Sequence, residues 1–200
     1  RSVQQLGGGA VRVTVHDTLA GVPWRDVGIV IETIGEDLAA KRRIFAELDR
    51  LVPAAVPVTS NSSSFPISDI AAGCLTAGRM VNLHFFMPAH VVPLVEVVKS
   101  DRSEPAVARA VFDLMARLGR KPVMVEKAIP GFLANRLQHA LMREAWSLID
   151  RGIAAPADVD AAVRFGFGFR YVAAGPVLQK EISGLDVNFL ASSTVFPDLC

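Results

Sequence analysis

Two titratable residues, His84 and Glu96, each lie within a short apolar run that is rich in β-branched or aromatic residues. Runs of this kind, bounded by Pro, predict buried β-strands. A buried carboxylate without a partner costs several kcal/mol, and a buried imidazole also needs a hydrogen-bond partner. Pairing would satisfy both groups. It would also hold the imidazole in one tautomer and favour its protonated form, as in a general base that works near neutral pH.

A purely structural interpretation is open for the same two residues. His84 could be a hydrogen-bonded core histidine while Glu96 faces solvent from an edge strand, because buried structural pairs also perturb pKa values. The four histidines do not cluster, and neither cysteine has a neighbour at metal-ligand spacing. The sequence therefore predicts no metal site.

The composition is that of an ordinary globular protein. Of 200 residues, 51% are hydrophobic and 20% are charged, and 21 Lys and Arg balance 20 Asp and Glu. The basic residues form no stripe or tail, so we expect neither a nucleic acid nor a membrane surface as partner. With two cysteines, no signal-like segment at the first residues and no apolar run of about eighteen residues, the sequence predicts a cytoplasmic protein.

The first residues indicate a helix end followed by a strand. Residues 1–6 are predicted to be the last turn of a helix that Gly7–Gly9 closes, and Val11–Val15 to be a short strand. A phosphate-binding loop needs the opposite order, with a strand before the glycines and a helix after them. We therefore reject that function for the three glycines.

The next segments alternate between strand and helix. A strand over Val27–Glu32, a helix from Glu36 to Val52 and a strand over Val56–Asn61 follow one another. Lys41 falls on the apolar stripe of the helix, where it either snorkels along the core or reaches a ligand above the sheet. Ser64 or Ser68 is expected to cap a short helix that begins near residue 67.

After the His84 and Glu96 strands, Ser103 is predicted to cap a further helix that Gly119 ends, and Pro122–Val125 is the next strand. This alternation predicts an α/β fold with a parallel, doubly wound sheet, whose ligand crevice lies at the carboxyl ends of the strands. Ser63 lies just after the carboxyl end of the predicted Val56–Asn61 strand. His84 and Glu96 must approach the same edge if they act together.

At Pro130–Gly131 the pattern changes to helices. The predicted helices cover Phe132–Arg151, Ala155–Val163 and Val177–Val195, with a glycine-aromatic loop at Gly166–Tyr171. The first of them is apolar on two faces, and such a helix is buried in a core or against another subunit.

We therefore predict two domains, residues 1–128 and 129–200, and a homodimer that forms through the second. Asn135 lies close to the boundary between them. Ligands often bind in a cleft between domains, although a lone helical Asn is more often a surface or interface residue.

Four motifs resemble the 3-hydroxyacyl-CoA dehydrogenase family. They are Ser60-Asn61-Ser62-Ser63-Ser64, Leu83-His84-Phe85-Phe86-Met87-Pro88, Leu94-Val95-Glu96-Val97 and Pro130-Gly131-Phe132-Leu133-Ala134-Asn135-Arg136. Their order and the spacings, 12 positions from His84 to Glu96 and 21 from Ser63 to His84, are similar to those of the family. Gly175-Pro176 and Gly184-Leu185-Asp186 extend the resemblance, which covers residues 11 to 190.

The resemblance implies a partial Rossmann-like domain followed by an all-α domain, and NAD-dependent oxidation of a 3-hydroxyacyl thioester to the 3-keto compound. By position, His84 matches the general base and Glu96 the acid that orients it. Ser63 and Asn135 match residues that hydrogen-bond the substrate oxygen from the two domains.

The resemblance also implies cofactor contacts at Glu36, Lys41 and Ser63. The family normally has Asn where this chain has Met87, and a thioether cannot replace an amide donor near the nicotinamide. The segment from Gly166 to Pro176 is similar to the branch that oxidises free hydroxy acids, such as L-gulonate or carnitine, and that includes lambda-crystallin. A dehydrogenase of free 3-hydroxy acids and a catalytically silent, crystallin-like protein are therefore alternatives.

The family's first βαβ unit, with its glycine-rich turn, is expected ahead of residue 1, and a lysine- and glycine-rich segment after Cys200. We therefore expect these residues to be part of a chain of about 300 residues, as the family's length implies, and to bind NAD weakly or not at all by themselves.

Overall fold

The computed structural model describes residues 12–200. The predicted helix end at residues 1–6, the three glycines and Val11 lie outside this part of the chain. The chain divides into two compact units, Arg1–Leu133 and Ala134–Cys200. The described part of the first unit is α/β and Rossmann-like, and the second unit is helical.

The first unit is built on a five-stranded sheet. Its strands are β1 (Val30–Glu32), β2 (Val58–Ser60), β3 (Met80–Phe85), β4 (Leu94–Val98) and β5 (Lys121–Val125). They are hydrogen-bonded in the order β1-β2-β3-β4-β5. Every neighbouring pair is parallel except β3 and β4, which are antiparallel.

The predicted α/β fold is confirmed, and its sheet departs from the predicted parallel arrangement at this one pair. A parallel pair needs a crossover connection of about a dozen residues or more, usually with a helix. The connection from β3 to β4 consists of residues 86–93 and contains no helix. The chain therefore turns back on itself, and β4 runs beside β3 in the opposite direction.

Three helices cover the sheet: α1 (Leu38–Leu51), α2 (Ile67–Ile70) and α3 (Pro105–Arg117). The side chain of Asp37 caps α1 by accepting a 2.8 Å hydrogen bond from the backbone N–H of Ala40. Phe45 and Leu48 of α1 pack into a core with β2 and α2. A second cluster joins α3 to β3 and β4. The amphipathic stripes that the sequence displays are the faces that these helices bury.

The predicted serine caps are wrong. No side chain caps α2 at its preceding residue, Pro66; instead, the buried amide of Asn82 on β3 accepts the Ile67 N–H at 2.7 Å. Ser103 does not cap α3 either, since its hydroxyl donates to the Met80 carbonyl at 2.7 Å. The Asn82 amide and the Ser103 hydroxyl each link the start of a helix to β3. Contacts with β3 are therefore present where serine caps were expected.

The predicted strand at Val11–Val15 is also wrong in its described part. Residues 12–15 have no regular structure, and the side chains of Val13 and Val15 are 74% and 84% exposed. An apolar run forms a stable strand only where a neighbouring strand and a hydrophobic face are available. None of the described strands pairs with this segment.

The second unit contains α4 (Ala134–Asp150), α5 (Pro156–Ala161), α6 (Pro176–Ser183) and α7 (Leu185–Val195). The predicted loop at Gly166–Tyr171 is helical instead, because a π-helix over Ala162–Phe167 runs into a 3₁₀-helix over Gly168–Val172. Val177–Val195 is largely helical, as predicted, and its two helices are separated at Gly184, whose φ of +92° lies in the region that favours glycine.

Few side chains of this unit are buried. Val159 is the only buried residue among residues 134–200, and none of α4 is buried. The expectation that α4 would be buried is therefore not met within this chain. Many large apolar residues are exposed, including Trp146, Phe165 and Phe189.

No helix within residues 12–200 combines the length and the apolar character that crossing a membrane requires.

The carboxylate of Asp49, on α1, supports the segment that leads into β3. It accepts the backbone N–H of Leu75 at 2.7 Å and of Thr76 at 3.0 Å, and also the Thr76 hydroxyl. Partial burial acts to raise the pKa of Asp49. The hydrogen bonds from Thr76 and Leu75 and the nearby charge of Arg79 outweigh it, so the pKa is lower than usual.

We expect Phe45→Ala to lower the free energy of unfolding by about 3–5 kcal/mol, because it leaves a cavity under α1. Phe45 is fully buried. Urea unfolding of the purified protein measures the change. Leu75→Ala is the matched control: this side chain is 91% exposed, so its removal should change stability by no more than about 0.5 kcal/mol. Equal losses would contradict the assignment of Phe45 to the core.

We expect Asp49→Asn to flatten the acid dependence of stability. Because folding lowers the pKa of Asp49, its stabilisation is fully present above the ordinary carboxyl pKa of about 4. It is lost as the pH falls through the lower pKa of the folded state. Between about pH 5 and pH 2, the wild-type free energy of unfolding should therefore fall more steeply than that of the variant. Parallel curves would show that these hydrogen bonds do not stabilise the ionised form.

Candidate active site

The antiparallel pairing of β3 and β4 places His84 directly opposite Glu96. Directly opposite residues point to the same face of a sheet, so the two side chains meet. His84 Nδ1 lies 2.8 Å from Glu96 Oε2, and both residues are buried, with exposures of 4% and 0%. The contact predicted from the sequence is present, and Glu96 does not face solvent.

The hydrogen bonds define the tautomer of His84. An ionised carboxylate only accepts, so Nδ1–H of His84 donates to Glu96. Nε2 of the neutral ring then has a free lone pair, and it accepts from the Ser63 hydroxyl, which lies 3.0 Å away. Ser63, at the end of β2, is exposed, whereas His84 is not. The basic nitrogen of the imidazole is therefore directed towards the accessible side of the pair.

The Pro130-Gly131-Phe132 turn completes the surroundings of the pair. The backbone N–H of Leu133 donates to Glu96 Oε1 at 3.0 Å, so each carboxylate oxygen has a hydrogen bond. The fully buried ring of Phe132 packs edge-on against the imidazole, with ring centroids 5.6 Å apart. Phe132 has a φ of +48°, an uncommon conformation for a bulky residue. The turn thus holds an apolar ring over the His84–Glu96 pair.

The turn that carries Ser63 is fixed by polar side chains on both sides. The Asn61 side chain accepts the Phe85 N–H at 2.8 Å, which ties the end of β2 to the end of β3. The buried Asn82 amide donates to the Phe65 carbonyl at 3.1 Å. Residues 61–65 therefore lie beside His84 because hydrogen bonds from β3 hold both ends of the turn.

Glu36 is bound to the same turn. Its Oε1 accepts the Ser62 hydroxyl at 2.6 Å and the Ser64 N–H at 2.9 Å. Partial burial acts to raise the pKa of Glu36, but the hydrogen bonds from Ser62 and Ser64 and the charge of Lys41 outweigh it. The pKa therefore lies below its usual range, and the carboxylate is ionised near neutral pH.

Lys41 is buried, with 1% exposure, so it does not snorkel to solvent. Its Nζ lies 2.9 Å from Oε1 and 3.2 Å from Oε2 of Glu32, and it donates to the Ile34 carbonyl at 3.2 Å. Glu36 Oε2 lies 3.5 Å from the same nitrogen. Lys41 therefore forms an ion pair within the fold, which the sequence did not predict.

Two other residues, Asn135 and Met87, were singled out in the sequence. Asn135 is half-buried in the first turn of α4 and belongs to the second unit. Met87 follows β3 and is 79% exposed. The catalytic and cofactor roles of Ser63, His84, Asn135, Glu36 and Lys41 remain predictions.

Glu32 and Asn82 also belong to this site, although neither was predicted from the sequence. Glu32 ends an apolar strand, and its carboxylate is buried against Lys41 and Ser60. The sequence signal for Glu32 is the same as for Glu96: a carboxylate within an apolar run is costly to bury unless it is paired. Asn82 carried a similar signal, because it is a polar residue in the β3 run.

The arrangement is suited to moving a proton. Nε2 of His84 is oriented by a buried carboxylate and lies beside an exposed hydroxyl, at the carboxyl ends of β2 and β3. Ligands bind outside this edge in open α/β sheets. Among the described residues, no group of three His, Cys, Asp or Glu side chains could hold a metal ion.

The residues at this edge fit the nicotinamide half of a dinucleotide in part. Glu36 offers a side chain that is 38% exposed, and Ser63 an exposed hydroxyl. Lys41 is directed inward to Glu32 instead. The described residues do not include a glycine-rich turn between a strand and a helix, the usual site for the pyrophosphate.

The chain matches two family models. Residues 4–129 match the NAD binding domain of 3-hydroxyacyl-CoA dehydrogenase, and residues 131–197 match its C-terminal domain. Similar relatives include 5-formyl-3-hydroxy-2-methylpyridine 4-carboxylate 5-dehydrogenase of Mesorhizobium japonicum, 33% identical over 99% of this chain and 63% of the relative. L-carnitine dehydrogenase of Streptomyces griseus is 37% identical over 86% of this chain and 51% of the relative.

A solved structure of similar fold is the 3-hydroxyacyl-CoA dehydrogenase of Archaeoglobus fulgidus. The match covers 86% of this chain and 59% of the Archaeoglobus fulgidus chain. Its TM-score is 0.78, and the two sequences are 31% identical. The chain thus spans only part of the length of these relatives. Because the two family models together match most of the sequence, in the order in which the α/β and helical units occur, the chain belongs to the 3-hydroxyacyl-CoA dehydrogenase family.

Proposed function

We propose that the protein oxidises the hydroxyl of a 3-hydroxyacyl-CoA to the 3-keto compound, with NAD as the oxidant. The observation that carries the proposal is the buried His84–Glu96 pair with Nε2 beside Ser63. A hydroxyl loses its proton as its carbon is oxidised, so the reaction needs a positioned base. Nε2 of His84 is such a base, because Nδ1 already carries the proton that Glu96 binds.

The other residues act on the base and on the substrate. Glu96 stabilises the imidazolium that forms when His84 takes the proton, since the ion pair lies out of contact with water. Ser63 donates a hydrogen bond to the substrate oxygen, in place of its bond to Nε2. We propose the same function for Asn135.

NAD, when bound, supplies the acceptor for the hydride that leaves the substrate carbon. We propose that Glu36 and Ser63 face its nicotinamide end. We propose further that residues 1–128 are the cofactor domain, and that residues 129–200 contact the substrate and form the dimer.

A hydrolase with Ser63 as nucleophile is disfavoured, although Ser63, His84 and Glu96 follow one another like a catalytic triad. Such an enzyme needs free N–H groups for the oxyanion. The N–H of Ser64 already donates to Glu36, and the N–H of Phe65 donates to the Ser62 hydroxyl at 2.8 Å. The Glu36 carboxylate beside them would also repel a developing negative charge.

A free 3-hydroxy acid is the second candidate substrate, since L-carnitine dehydrogenase and the pyridine carboxylate dehydrogenase are similar in sequence. Assays of the purified gene product with 3-hydroxybutyryl-CoA, L-carnitine and L-gulonate separate the two classes. Turnover of the thioester alone supports the proposal. Turnover of a free acid alone favours the second candidate, and turnover of none of the three favours a crystallin-like structural protein.

We expect His84→Ala to lower kcat by about 10²- to 10⁴-fold, because it removes the general base. NAD-dependent absorbance at saturating substrate measures the loss. His90→Ala is the matched control, since His90 is exposed and lies in the adjoining connection. It should keep the wild-type rate. A His84→Ala enzyme with unchanged kcat would overturn the proposed chemistry.

We also propose that the protein forms a homodimer through the second unit, whose exposed side chains include Phe165, Phe189 and Phe196. Light scattering coupled to size exclusion should give twice the subunit mass. Phe189→Asp, which puts a charge on this surface, should shift the protein towards the monomer, whereas Leu75→Asp in the first unit should not. A wild-type protein that is monomeric at micromolar concentration would contradict the proposal.

A further inference from the structure

Ser63 depends on its neighbours for its position. Its side chain is exposed, and the one hydrogen bond described for it is the bond to His84 Nε2. The distance between this hydroxyl and its partner stays short only if the backbone that carries Ser63 is held in place. The residues on either side, Ser62 and Ser64, provide this constraint, because both donate to Oε1 of Glu36.

The second oxygen of Glu36 faces a buried ion pair. Oε2 lies 3.5 Å from Nζ of Lys41, which in turn is bound to both oxygens of Glu32. Glu32 also accepts the Ser60 hydroxyl and the Ile34 N–H, each at 2.6 Å. This polar network joins the ends of β1 and β2 to the first turns of α1. Its Glu32, Lys41 and Ser60 side chains are buried, and a buried network whose hydrogen bonds are satisfied is rigid.

We propose that Glu36 is a positioning residue for Ser63: its carboxylate fixes the Ser62–Ser64 turn so that the Ser63 hydroxyl stays within reach of His84 and of the substrate oxygen. This inference rests on the proposed function of His84 and Ser63. It assigns to Glu36 an action on the substrate side of the site, distinct from the cofactor contact that the family resemblance implies.

The geometry explains why one carboxylate has this effect. Ser62 and Ser64 lie on both sides of Ser63, and a single oxygen binds both, so the turn cannot rotate about either end without breaking a bond to Glu36. The charge of Lys41, 3.5 Å from Oε2, attracts the carboxylate towards the fold. Misplacement of a catalytic group by about 1 Å can cost about 100-fold in rate. Loss of Glu36 should therefore act on kcat.

The test is a double-mutant cycle in the purified gene product, with Glu36→Ala, Ser63→Ala and both together. We expect Glu36→Ala to lower kcat, measured at saturating NAD, by about 10- to 100-fold, in addition to any rise in KM for NAD from loss of the proposed cofactor contact. The double variant should be no slower than Ser63→Ala alone, because Glu36 acts through Ser63. Losses that multiply, or a raised KM for NAD with unchanged kcat, would overturn the proposal.

Two matched variants separate positioning from general damage. Glu36→Gln retains an oxygen that can accept both hydrogen bonds, so it should recover most of the rate that Glu36→Ala loses. Glu47→Gln makes the same chemical change on α1, where the Glu47 side chain takes part in none of the hydrogen bonds or ion pairs of the described residues. It should keep the wild-type kcat. Equal losses in Glu36→Ala and Glu36→Gln would contradict the assigned role.

A readout that needs no turnover distinguishes failure of this inference from failure of the proposed function. In ¹⁵N-labelled protein without substrate, the Nε2 resonance of His84 reports the hydrogen bond from Ser63. Ser63→Ala and Glu36→Ala should shift this resonance in the same direction, while circular dichroism remains native. A shift in Ser63→Ala that is absent in Glu36→Ala would overturn the positioning role, even if the protein has no dehydrogenase activity.

Discussion

The site depends on one constraint, the burial of a carboxylate in the middle of the sheet. Glu96 is fully inaccessible on β4, where an uncompensated charge would cost several kcal/mol. Its two oxygens are bound by His84 Nδ1–H and by the Leu133 N–H. Satisfying this charge therefore fixes the tautomer of the imidazole and the position of the turn that ends the first unit.

The same physical requirement recurs at the neighbouring strands. Glu32 on β1 is buried against Lys41, and Asn82 on β3 is buried against the turn after β2. Among the described residues, no buried side-chain nitrogen or oxygen lacks a hydrogen-bond partner. Polar groups at the carboxyl ends of β1, β2 and β3 thus hold one another in place. The result is a preorganised edge, which electrostatic catalysis requires because rigid dipoles need no reorganisation during the reaction.

The two units differ in how much of their apolar surface is buried within the chain. In the first unit, the stripes of α1 and α3 are buried against the sheet. In the second unit, most large apolar side chains remain exposed, and Val159 alone is buried. Exposed apolar surface of this extent is typical of an interface. This contrast is the physical basis for proposing that the second unit associates with another copy of the chain.

Much of the local structure follows from the sequence. The positions of α1, α3 and β2–β5 could be read from apolar periodicity, with ends displaced by a few residues, because burial of a stripe or a strand needs little beyond local pattern. The pairing of His84 with Glu96 was also predictable, since each is a titratable group within an apolar run. The spacing of the four motifs indicated the family.

Other features were decided by tertiary structure. The direction of β4 depends on the short connection that precedes it, and the caps at α2 and α3 are replaced by contacts with β3. Lys41 could be placed on a stripe from the sequence, but its partner could not, because Glu32 lies on a different element and meets it only when α1 packs on β1. Periodicity determines which face of an element is buried, whereas the partner of each buried polar group is set by the packing of distant segments.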